Sequence, residues 1–413
     1  MKVRKIRPEE LKRVYELFSV AFEMSYESKD TAEEVYNKLR DNPLSREDEC
    51  LLEKYAAFED DDKTMMSCIF ATRYPMIYDG HSVQMTGVGG VSSLPQYRRR
   101  GGIRGCMDKL LEDGYQDGVL FAWLYPFSSN YYRKFGFENG PLCCKYKLDL
   151  SFIPKYSVAG HSMLISRENS AEMLTDVKCI YERYASGLNG MIDNEKWEYR
   201  FVTEAAPYAK QEYTYVYYGE DGTPISYMTF TKMKKDGEQY LSCSRFVFTD
   251  REGLEGLLSL SASFASDHKS IIFEVPESYH IETVVQEQSF GACTMSRRFL
   301  GMVRVVNVQK VLEISKYIGS GKLAIEIIDE QIEENNGVFS VIFKDGKCIS
   351  VAKGTSSPDV MMTIDQFSRF ILGCSDVDGM AYAPNGRCCA SQGREESLRQ
   401  MFYKKPCFIS EYF

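Results

Sequence analysis

Three arginines and two glycines, Arg98 to Gly102, separate an apolar stretch from a helical pattern. Met85 to Val91 is typical of a buried strand, and apolar residues at helical spacing follow the loop: Ile103, Met107, Leu110 and Leu111. The first turn of a helix binds anions, because its N–H groups point outward and the helix dipole is positive there. The pattern predicts a strand, a phosphate-binding loop and a helix, and the added charge of Arg98, Arg99, Arg100 and Arg104 suits a pyrophosphate. The alternative is a loop that is only a solvated helix start.

A second candidate segment runs from Tyr131 to Glu138 and reads YYRKFGFE. Ser128, Ser129 and Asn130 can cap a short helix from Tyr131 to Lys134, and Gly136 can end it. The apolar run Val119 to Leu124 just before it is typical of a buried strand. The stretch from Met85 to Leu124 therefore predicts a right-handed strand, helix and strand crossover, with the two tyrosines beyond its second strand.

The spacing of these residues resembles the acetyl-CoA-binding motif of the GCN5-related N-acetyltransferases (GNAT). That motif, V-x-x-V-x-x-x-P-x-x-R-R-R-G, is matched here by Val88, Val91, Pro95, Arg98, Arg99, Arg100 and Gly101. Ile103 stands where the family commonly has a small residue. The same departure occurs in the enhanced intracellular survival (Eis) family, whose members acetylate amines, including those of aminoglycosides. Three further features agree with that branch: the YYRKFGFE segment, the length of 413 residues and the aromatic Phe413.

The resemblance implies acetyl-CoA as co-substrate, no metal, and roles for individual residues. The main chain of Val91, Ser92 and Ser93 would pair with the pantetheine arm and polarise the thioester carbonyl. The pyrophosphate would be held by Arg99, Arg100, Gly101, Gly102, Ile103 and Arg104. Phe127 and Ser128 would flank the cofactor. Tyr132 matches the family's Y-x-x-F-G tyrosine and would protonate the departing thiolate, whereas Tyr131 would only pack the fold.

The resemblance also implies an unusual general base, the α-carboxylate of Phe413, and Glu411 is the candidate that binds the amine. Acetyl transfer needs a neutral amine, and a lysine-like amine has a pKa of about 10.4, so some group must accept its proton. A free main-chain carboxyl has a pKa of about 3.5 and is a weak base. Either burial beside the Phe413 ring raises that pKa or a water relays the proton, and both remain open.

The composition indicates an ordinary globular protein, with 44% hydrophobic and 26% charged residues. A formal net charge of −9 argues against a nucleic-acid partner and is compatible with cationic substrates. No uninterrupted apolar window of about 18 residues exists, and the first residues lack an apolar segment. We therefore expect neither a membrane partner nor a signal peptide, and a cytoplasmic location.

The 13 cysteines are scattered, and only four histidines accompany them. Cys143-Cys144 and Cys388-Cys389 are vicinal pairs and do not have the spacing of zinc ligands. We expect reduced thiols and no metal site.

The fold class predicted is α/β (α+β), with tandem GNAT-like domains, each around a central mixed sheet, and a sterol-carrier-protein-like α+β domain. The catalytic domain is placed in residues 1–150, where the helices from Leu11 and Thr31 border the acceptor site in the resembling fold. Phe22, Met24 and Tyr26 are interpreted as core or pocket wall.

Residues 151–296 repeat the element order of the first domain. The strands Tyr240 to Phe248 and Ser270 to Val275 flank a helix that Asp250 can cap, and acids stand where a pyrophosphate would lie. We predict a degenerate domain without a cofactor site. The strands and helices of residues 297–413, including a hairpin across Lys344 to Lys347, resemble the sterol carrier protein fold.

The function predicted is acetyl-CoA-dependent N-acetylation of a primary amine on a cationic small molecule, aminoglycoside-like or polyamine-like, by direct transfer. The alternatives are a protein lysine acetyltransferase and a non-catalytic acyl-CoA or lipid carrier. The resemblance further implies a homo-oligomer, in that family a hexamer.

Overall fold

The computed structural model describes residues 1–22, 26, 28–41, 53–193, 199–285, 289, 291–354, 357–380, 389–390 and 393–413. The strands in these residues are β1 (Lys2–Lys5), β2 (Lys54–Phe58), β3 (Met65–Tyr78), β4 (His81–Ser93), β5 (Phe121–Leu124), β6 (Glu138–Asn139), β7 (Leu142–Asp149), β8 (His161–Leu164), β9 (Glu212–Tyr218), β10 (Pro224–Lys235), β11 (Glu238–Phe248), β12 (Ser270–Pro276), β13 (Cys293–Phe299), β14 (Met302–Val305), β15 (Gly321–Ile328), β16 (Gly337–Lys344), β17 (Lys347–Gly354), β18 (Val360–Thr363) and β19 (Cys389–Ala390). The helices are α1 (Leu11–Phe22), α2 (Ala32–Arg40), α3 (Gly102–Gln116), α4 (Ser129–Arg133), α5 (Ser170–Ala185), α6 (Arg200–Thr203), α7 (Pro207–Lys210), α8 (Arg251–Ala262), α9 (Val308–Ile314), α10 (Ile364–Ile371), α11 (Val377–Met380) and α12 (Glu395–Met401). Met24 and Cys388 lie outside the described residues.

The described residues form two compact units. The first contains Met1–Gly140, Gly301–Lys405 and Ser410–Phe413. The second contains Pro141–Leu300 and Pro406–Ile409. Among the described helices, none has the length and apolar character needed to cross a membrane.

The first unit is built on a seven-stranded sheet in the order β1-β2-β3-β4-β5-β14-β6. β4 and β5 are parallel and are connected through α3, as the crossover pattern predicts, and the other neighbours are antiparallel. The buried side of α3 packs on this sheet through Cys106, Met107, Leu110 and Leu111. The helical spacing of those residues is therefore the reason that the crossover lies flat on the strands.

The side chains of β3 point into two cores, and a bulge at Met66, between the pairs Ala57–Ser67 and Phe58–Met65, shifts their alternation by one residue. Met66 and Ile69 join the cluster under α3, whereas Met65 and Cys68 join the cluster under α1. Successive strand residues point to opposite faces, so α1 and α3 cover opposite faces of the first sheet. The cluster under α1 also contains Leu11, Val14 and Leu17.

The second unit contains another seven-stranded sheet, in the order β13-β7-β12-β11-β10-β9-β8. β11 and β12 are parallel and are joined through α8, which repeats the arrangement of β4, α3 and β5. Asp250 caps α8, because its side chain accepts a hydrogen bond from the N–H of Gly253 at 2.9 Å. The carboxylate of Asp250 therefore lies at the N terminus of α8, and the degenerate domain without a cofactor site stays a prediction.

The C-terminal part of the first unit contains a five-stranded sheet in the order β17-β16-β15-β18-β19. β16 and β17 form the predicted hairpin, with Lys344 paired to Lys347. Asp345 and Gly346 have φ values of 50° and 78°, as a two-residue type I′ turn requires. Helix α10 follows β18 directly, and the N–H of its N-cap residue Thr363 donates a hydrogen bond to the side chain of Gln366 at 3.5 Å.

Two strands pair outside the segments in which their sequence positions place them. β14, expected as the first strand of the last domain, inserts between β5 and β6 of the first sheet. β7, which lies within the predicted first domain of residues 1–150, pairs with β12 and β13 of the second sheet. The domain boundaries at 150 and 296 stay predictions, and the strand pairing around both of them departs from chain order.

Candidate active site

β4 and β5 pair over four residues and then separate. The last parallel pair is Val88 with Leu124, and beyond it β4 continues to Ser93 while it stays paired with β3. Within the described strands, the β5-facing edge of β4 therefore has no partner after Val88. Such an edge offers backbone N–H and C=O groups to an extended ligand. The predicted pantetheine-binding residues lie on it: Val91, Ser92 and Ser93.

A β-bulge interrupts the pairing of β4 with β3 in the same stretch. Gly90 and Val91 lie opposite the single residue Ile69 of β3, since the register shifts between Cys68 and Phe70. Gly90 has a φ of 55°, which favours glycine. Because a bulge leaves one residue of the ladder unpaired, it frees a backbone N–H that can polarise a carbonyl group.

The loop before α3 has two unusual backbone conformations. Gly101 has a φ of 83°, and a Cβ added there would meet no atom within 4 Å. Arg99 has a φ of 64°, which is uncommon for a residue with a side chain and marks local strain. Arg98 and Arg99 are exposed, and neither forms an ion pair with any residue that the structure describes. The N terminus of α3 and these two arginines can therefore receive an anion.

Gly102 has a different role from Gly101. A Cβ at Gly102 would overlap the side chain of Ser67 on β3. Glycine is needed at 102 for the close packing of α3 on the sheet, and the anion-approach argument applies to Gly101 alone. The predicted site residue Ile103 is half-buried against the core under α3.

The remaining loop arginines have partners inside the protein. Arg100 forms an ion pair with Glu59 at 3.0 Å. The guanidinium of Arg104 lies 5.5 Å from the centre of the Phe135 ring. Both side chains are exposed, and either could turn toward a bound anion only by leaving these contacts.

Tyr132 lies in α4, just beyond the point where β4 and β5 separate. It is 2% exposed and belongs to the same apolar cluster as Val88 and Leu124, the last parallel pair. Burial raises the pKa of its phenol above the ordinary value, so the hydroxyl stays protonated at neutral pH. This hydroxyl forms no hydrogen bond with the described residues, which leaves it available as a donor.

The residues around Tyr132 form an aromatic group. The ring of Phe127 lies 5.4 Å from the rings of both Tyr131 and Tyr132, and Phe127 is 74% exposed. Ser128 is the N-cap residue of α4. Its main-chain carbonyl, and not its hydroxyl, accepts a hydrogen bond from the N–H of Tyr131 at 3.1 Å. The helix thus begins two positions before the predicted start. Burial raises the pKa of Tyr131 as well.

The main-chain carboxyl group of Phe413 lies against Gly89 of β4. A Cβ at Gly89 would lie 3.2 Å from its carboxyl carbon, and a Cβ at Gly87 would lie 2.9 Å from the Phe413 ring. Gly89 is the first residue of β4 beyond the last parallel pair. The carboxyl group therefore lies at the point where the two strands separate.

Tyr125 holds this part of the chain in place. Its hydroxyl donates a hydrogen bond to the main-chain oxygen of Glu411 at 2.6 Å. Its ring stacks on Tyr412 at 4.1 Å and contacts Phe413 at 5.6 Å, while Tyr74 contacts Phe413 at 5.3 Å. Tyr125 was not among the predicted site residues, although an aromatic residue directly after a buried strand could have indicated it.

The predicted amine ligand Glu411 is placed in the same segment. Its side chain is half-buried and accepts a hydrogen bond from the hydroxyl of Ser410 at 3.2 Å. Its main-chain oxygen is the acceptor for Tyr125. Glu411 therefore anchors the segment through its backbone, and its carboxylate stays a prediction as an amine ligand.

A buried ion pair contacts the residues that follow α4. Arg304 of β14 is fully buried and forms two hydrogen bonds of 2.7 Å with the carboxylate of Asp329. The same guanidinium donates to the carbonyl of Phe135 at 2.5 Å. A Cβ at Gly136 would overlap Arg304, so the glycine of the YYRKFGFE segment makes room for this contact. Arg304 is a single arginine among the apolar residues of β14, which indicates a buried polar contact. The sequence does not identify Asp329 as its partner.

The arrangement combines three groups where the parallel ladder ends: an open strand edge beside an anion-binding loop, a protonated phenol, and a carboxyl group. Such a set can bind a phosphorylated thioester and exchange protons with a nucleophile and a leaving group. Among the described residues, no group of three or more His, Cys, Asp or Glu side chains could hold a metal ion.

Comparisons with known proteins agree with this geometry. Residues 2–140 match the acetyltransferase (GNAT) domain family, and residues 308–407 match the sterol carrier protein domain family. A search of the curated proteins found no match. The GNAT fold uses acetyl-CoA, which accords with the open edge and the anion-binding loop.

Several solved structures share the whole fold. A conserved protein of unknown function from Enterococcus faecalis V583 is 21% identical with a TM-score of 0.82, over 100% of this chain and 99% of that one. A GCN5-related N-acetyltransferase from Anabaena variabilis ATCC 29413 is 18% identical with a TM-score of 0.82, and Eis1 from Mycobacterium abscessus is 18% identical with a TM-score of 0.76. In both cases the alignment covers 100% of this chain and 100% of the other. At such identities the likeness shows a common fold. The matched domains make the chain an enzyme of the N-acetyltransferase class, with a GNAT acetyltransferase domain and a sterol carrier protein domain.

Proposed function

We propose that the protein transfers the acetyl group of acetyl-CoA to a primary amine of a cationic small molecule, directly between the two bound substrates. The observation that carries the proposal is the position of the Phe413 carboxyl group against Gly89, where β4 and β5 separate. An aminoglycoside-like or polyamine-like acceptor and membership of the Eis family are proposals that rest on the motif resemblance. The homo-oligomeric state, the cytoplasmic location and the lack of nucleic-acid and membrane partners stay predictions.

The cofactor would be held along the open edge of β4. The main chain of Val91, Ser92 and Ser93 binds the pantetheine arm there, and the N–H freed by the bulge polarises the thioester carbonyl. Arg98, Arg99 and the N terminus of α3 bind the pyrophosphate. When bound, acetyl-CoA supplies an activated acetyl group on a thiolate leaving group.

The carboxyl group of Phe413 acts as the general base. An alkylammonium ion has a pKa near ~10.4 and is not a nucleophile until it loses a proton. The carboxylate removes that proton, directly or through a water, as the amine nitrogen bonds to the acetyl carbon. Gly89 leaves the space that brings this group to the end of the strand ladder.

Tyr132 acts as the general acid. As the bond between the acetyl carbon and sulfur breaks, the phenol donates its proton and coenzyme A leaves as a thiol. The acceptor nitrogen loses two protons on the way from ammonium ion to amide, and the Phe413 carboxylate passes both in turn to solvent. Solvent returns one proton to Tyr132, so each turnover releases one proton. Burial keeps the phenol protonated until that moment, since it raises the pKa.

Purified protein, acetyl-CoA and a panel of primary amines test the proposal directly. We expect mass spectrometry to show the amine heavier by one acetyl group and a thiol assay to show stoichiometric release of coenzyme A. Release of coenzyme A without an acetylated amine, or acetylation of peptide lysines in preference to every free amine, would contradict it.

Arg99→Ala is expected to weaken acetyl-CoA binding by about tenfold or more, because a charge-assisted contact to the pyrophosphate is lost. Isothermal titration calorimetry measures the change, and the effect should shrink at high salt. Arg251→Ala is the matched control, since Arg251 is an exposed arginine in the first turn of α8. Equal affinities of wild type and Arg99→Ala would reject the assigned loop.

Gly89→Ala is expected to lower kcat by about tenfold with unchanged acetyl-CoA affinity. The new Cβ would press on the carboxyl carbon of Phe413 at 3.2 Å, and misplacing a catalytic group by 1 Å costs up to about 10²-fold. Gly354→Ala is the control, because a Cβ at Gly354 would meet no atom within 4 Å. A fully active Gly89→Ala variant with normal stability would show that the position of this carboxyl group does not matter.

A further inference from the structure

Tyr132 lies in a very short helix that needs support from other parts of the chain. Helix α4 spans only Ser129–Arg133, and the N–H of Phe135 closes its last turn on the carbonyl of Tyr132 at 2.9 Å. A helix of so few residues is unstable by itself. The carbonyls at the end of a helix have no partner within it, so they are the groups through which other segments can hold it.

Two side chains from the C-terminal part of the first unit donate hydrogen bonds to the turn after α4. The amide of Gln331 donates to the carbonyl of Lys134 at 3.1 Å. The guanidinium of Arg304 donates to the carbonyl of Phe135 at 2.5 Å, and to the amide oxygen of Gln331 at 3.0 Å. Gln331 and Arg304 therefore bind adjacent carbonyls of one turn and are joined to each other.

The carboxylate of Asp329 fixes the loop that carries Gln331. It accepts hydrogen bonds from the N–H of Gln331 at 2.9 Å, from the N–H of Ile332 at 3.3 Å and from the amide of Asn335 at 2.9 Å. It also forms the ion pair with Arg304, in which both side chains are fully buried. A shift of the loop or of the guanidinium would leave a buried charge unpaired, which is strongly unfavourable.

The same loop contributes to the core around Tyr132. Ile332, the residue after Gln331, is 3% exposed and belongs to the apolar cluster that contains Tyr132 and Phe135. The loop therefore holds α4 in two ways: Ile332 packs in its apolar core, and Gln331 binds the backbone of the turn that follows it.

We infer that Gln331 is a positioning residue for the general acid, which holds the turn after α4 so that the Tyr132 hydroxyl stays beside the point where β4 and β5 separate. This inference rests on the proposed acetyltransferase function, and Gln331 acts on the reaction only through Tyr132. The hydrogen bond to Lys134 can be removed without breaking the buried ion pair. Its loss lets the turn shift, and a misplaced catalytic group lowers turnover. The sterol carrier protein domain, which contains Gln331, thus supports the acetyltransferase site.

Substitutions at Gln331 in the full-length protein test the inference, with acetyl-CoA and the fastest acceptor among butane-1,4-diamine, spermidine and kanamycin. Gln331→Ala should lower kcat about three- to tenfold, the range that one neutral hydrogen bond covers. KM for both substrates should not change, because the general acid acts only in the transition state. Gln331→Glu should have the same effect, since a carboxylate of equal size cannot donate to the carbonyl of Lys134.

Gln309→Ala is the matched control for these variants. Gln309 is an exposed glutamine whose amide donates to Glu313 of the same helix at 3.0 Å, so its loss should leave kcat unchanged. Wild-type kcat in Gln331→Ala or in Gln331→Glu would overturn the inference and leave the proposed function standing. Failure of the wild type to acetylate any of the three amines would instead reject the proposed function, and the inference with it.

The double variant of Gln331→Ala and Tyr132→Phe shows whether Gln331 acts through the phenol. Residues that act as a unit have non-additive effects, so Gln331→Ala should cause no further loss of kcat once the hydroxyl is absent. A merely structural role would lower kcat by the same factor in both backgrounds, and that result would overturn the inference. Wild-type turnover in Tyr132→Phe alone would overturn it as well, because no acid would then be left to position.

Discussion

Extending the chain beyond Phe413 by a few residues is expected to abolish amine acetylation while acetyl-CoA binding is retained. The peptide bond that forms at Phe413 replaces its carboxylate with a neutral amide, which cannot take a proton from the amine. Loss of a general base lowers turnover by roughly 10² to 10⁴. Steady-state kinetics and calorimetry of the extended protein measure the two effects separately.

The controls separate the loss of the carboxylate from damage to the fold. The same residues inserted in the exposed turn at Gly222, where a Cβ would meet no atom within 4 Å, should leave turnover intact. We place the insertion there and not before Met1, because Met1 lines a cavity of about 320 Å³ together with Arg100 of the anion-binding loop. Phe413→Leu keeps the carboxylate and should stay measurably active. Wild-type turnover in the extended protein would exclude Phe413 as the base.

Tyr132→Phe is expected to lower kcat by roughly 10² to 10⁴ without a change in acetyl-CoA affinity. The variant keeps the buried ring and removes only the proton that stabilises the departing thiolate. A thiol assay gives the turnover. Tyr131→Phe is the matched control, since it removes the neighbouring hydroxyl and should retain most of the activity.

The pH dependence gives an independent test of Tyr132. Burial raises the pKa of this phenol above its usual value of about 10. In wild type, kcat/KM should therefore show no falling limb from Tyr132 below about pH 10. A falling limb near neutral pH that is absent from Tyr132→Phe would contradict the direction of this shift.

The local parts of the site could be predicted from sequence, because each is encoded within a short segment. The glycine and arginine loop before α3 and the helix that carries Tyr132 follow from turn, cap and periodicity rules applied to neighbouring residues. Their order along the chain then indicates a crossover between parallel strands. The fold class was confirmed for the same reason, since tandem sheets repeat one order of elements.

The long-range parts of the site could not be predicted in the same way. A hydrophobic pattern can identify β14 as a strand, but it does not say which strands β14 pairs with. Phe413 packs against Gly87 and Gly89 of β4. The sequence alone does not show that these glycines make room for it, because it does not say which residue packs there. The hydrogen bonds of Arg304 to Asp329 and to Phe135 likewise join segments that are distant in sequence.

The position of β14 in the first sheet has a consequence for biosynthesis. β5 and the two-residue strand β6 are held together only through β14, because the sheet order is β5, β14, β6. While the ribosome is still adding the residues between β6 and β14, β5 has an open hydrogen-bonding edge, and such edges attract other chains. The acetyltransferase domain thus cannot complete its sheet until residues 302–305 have emerged. A nascent chain that stalls before that point exposes this edge to other chains.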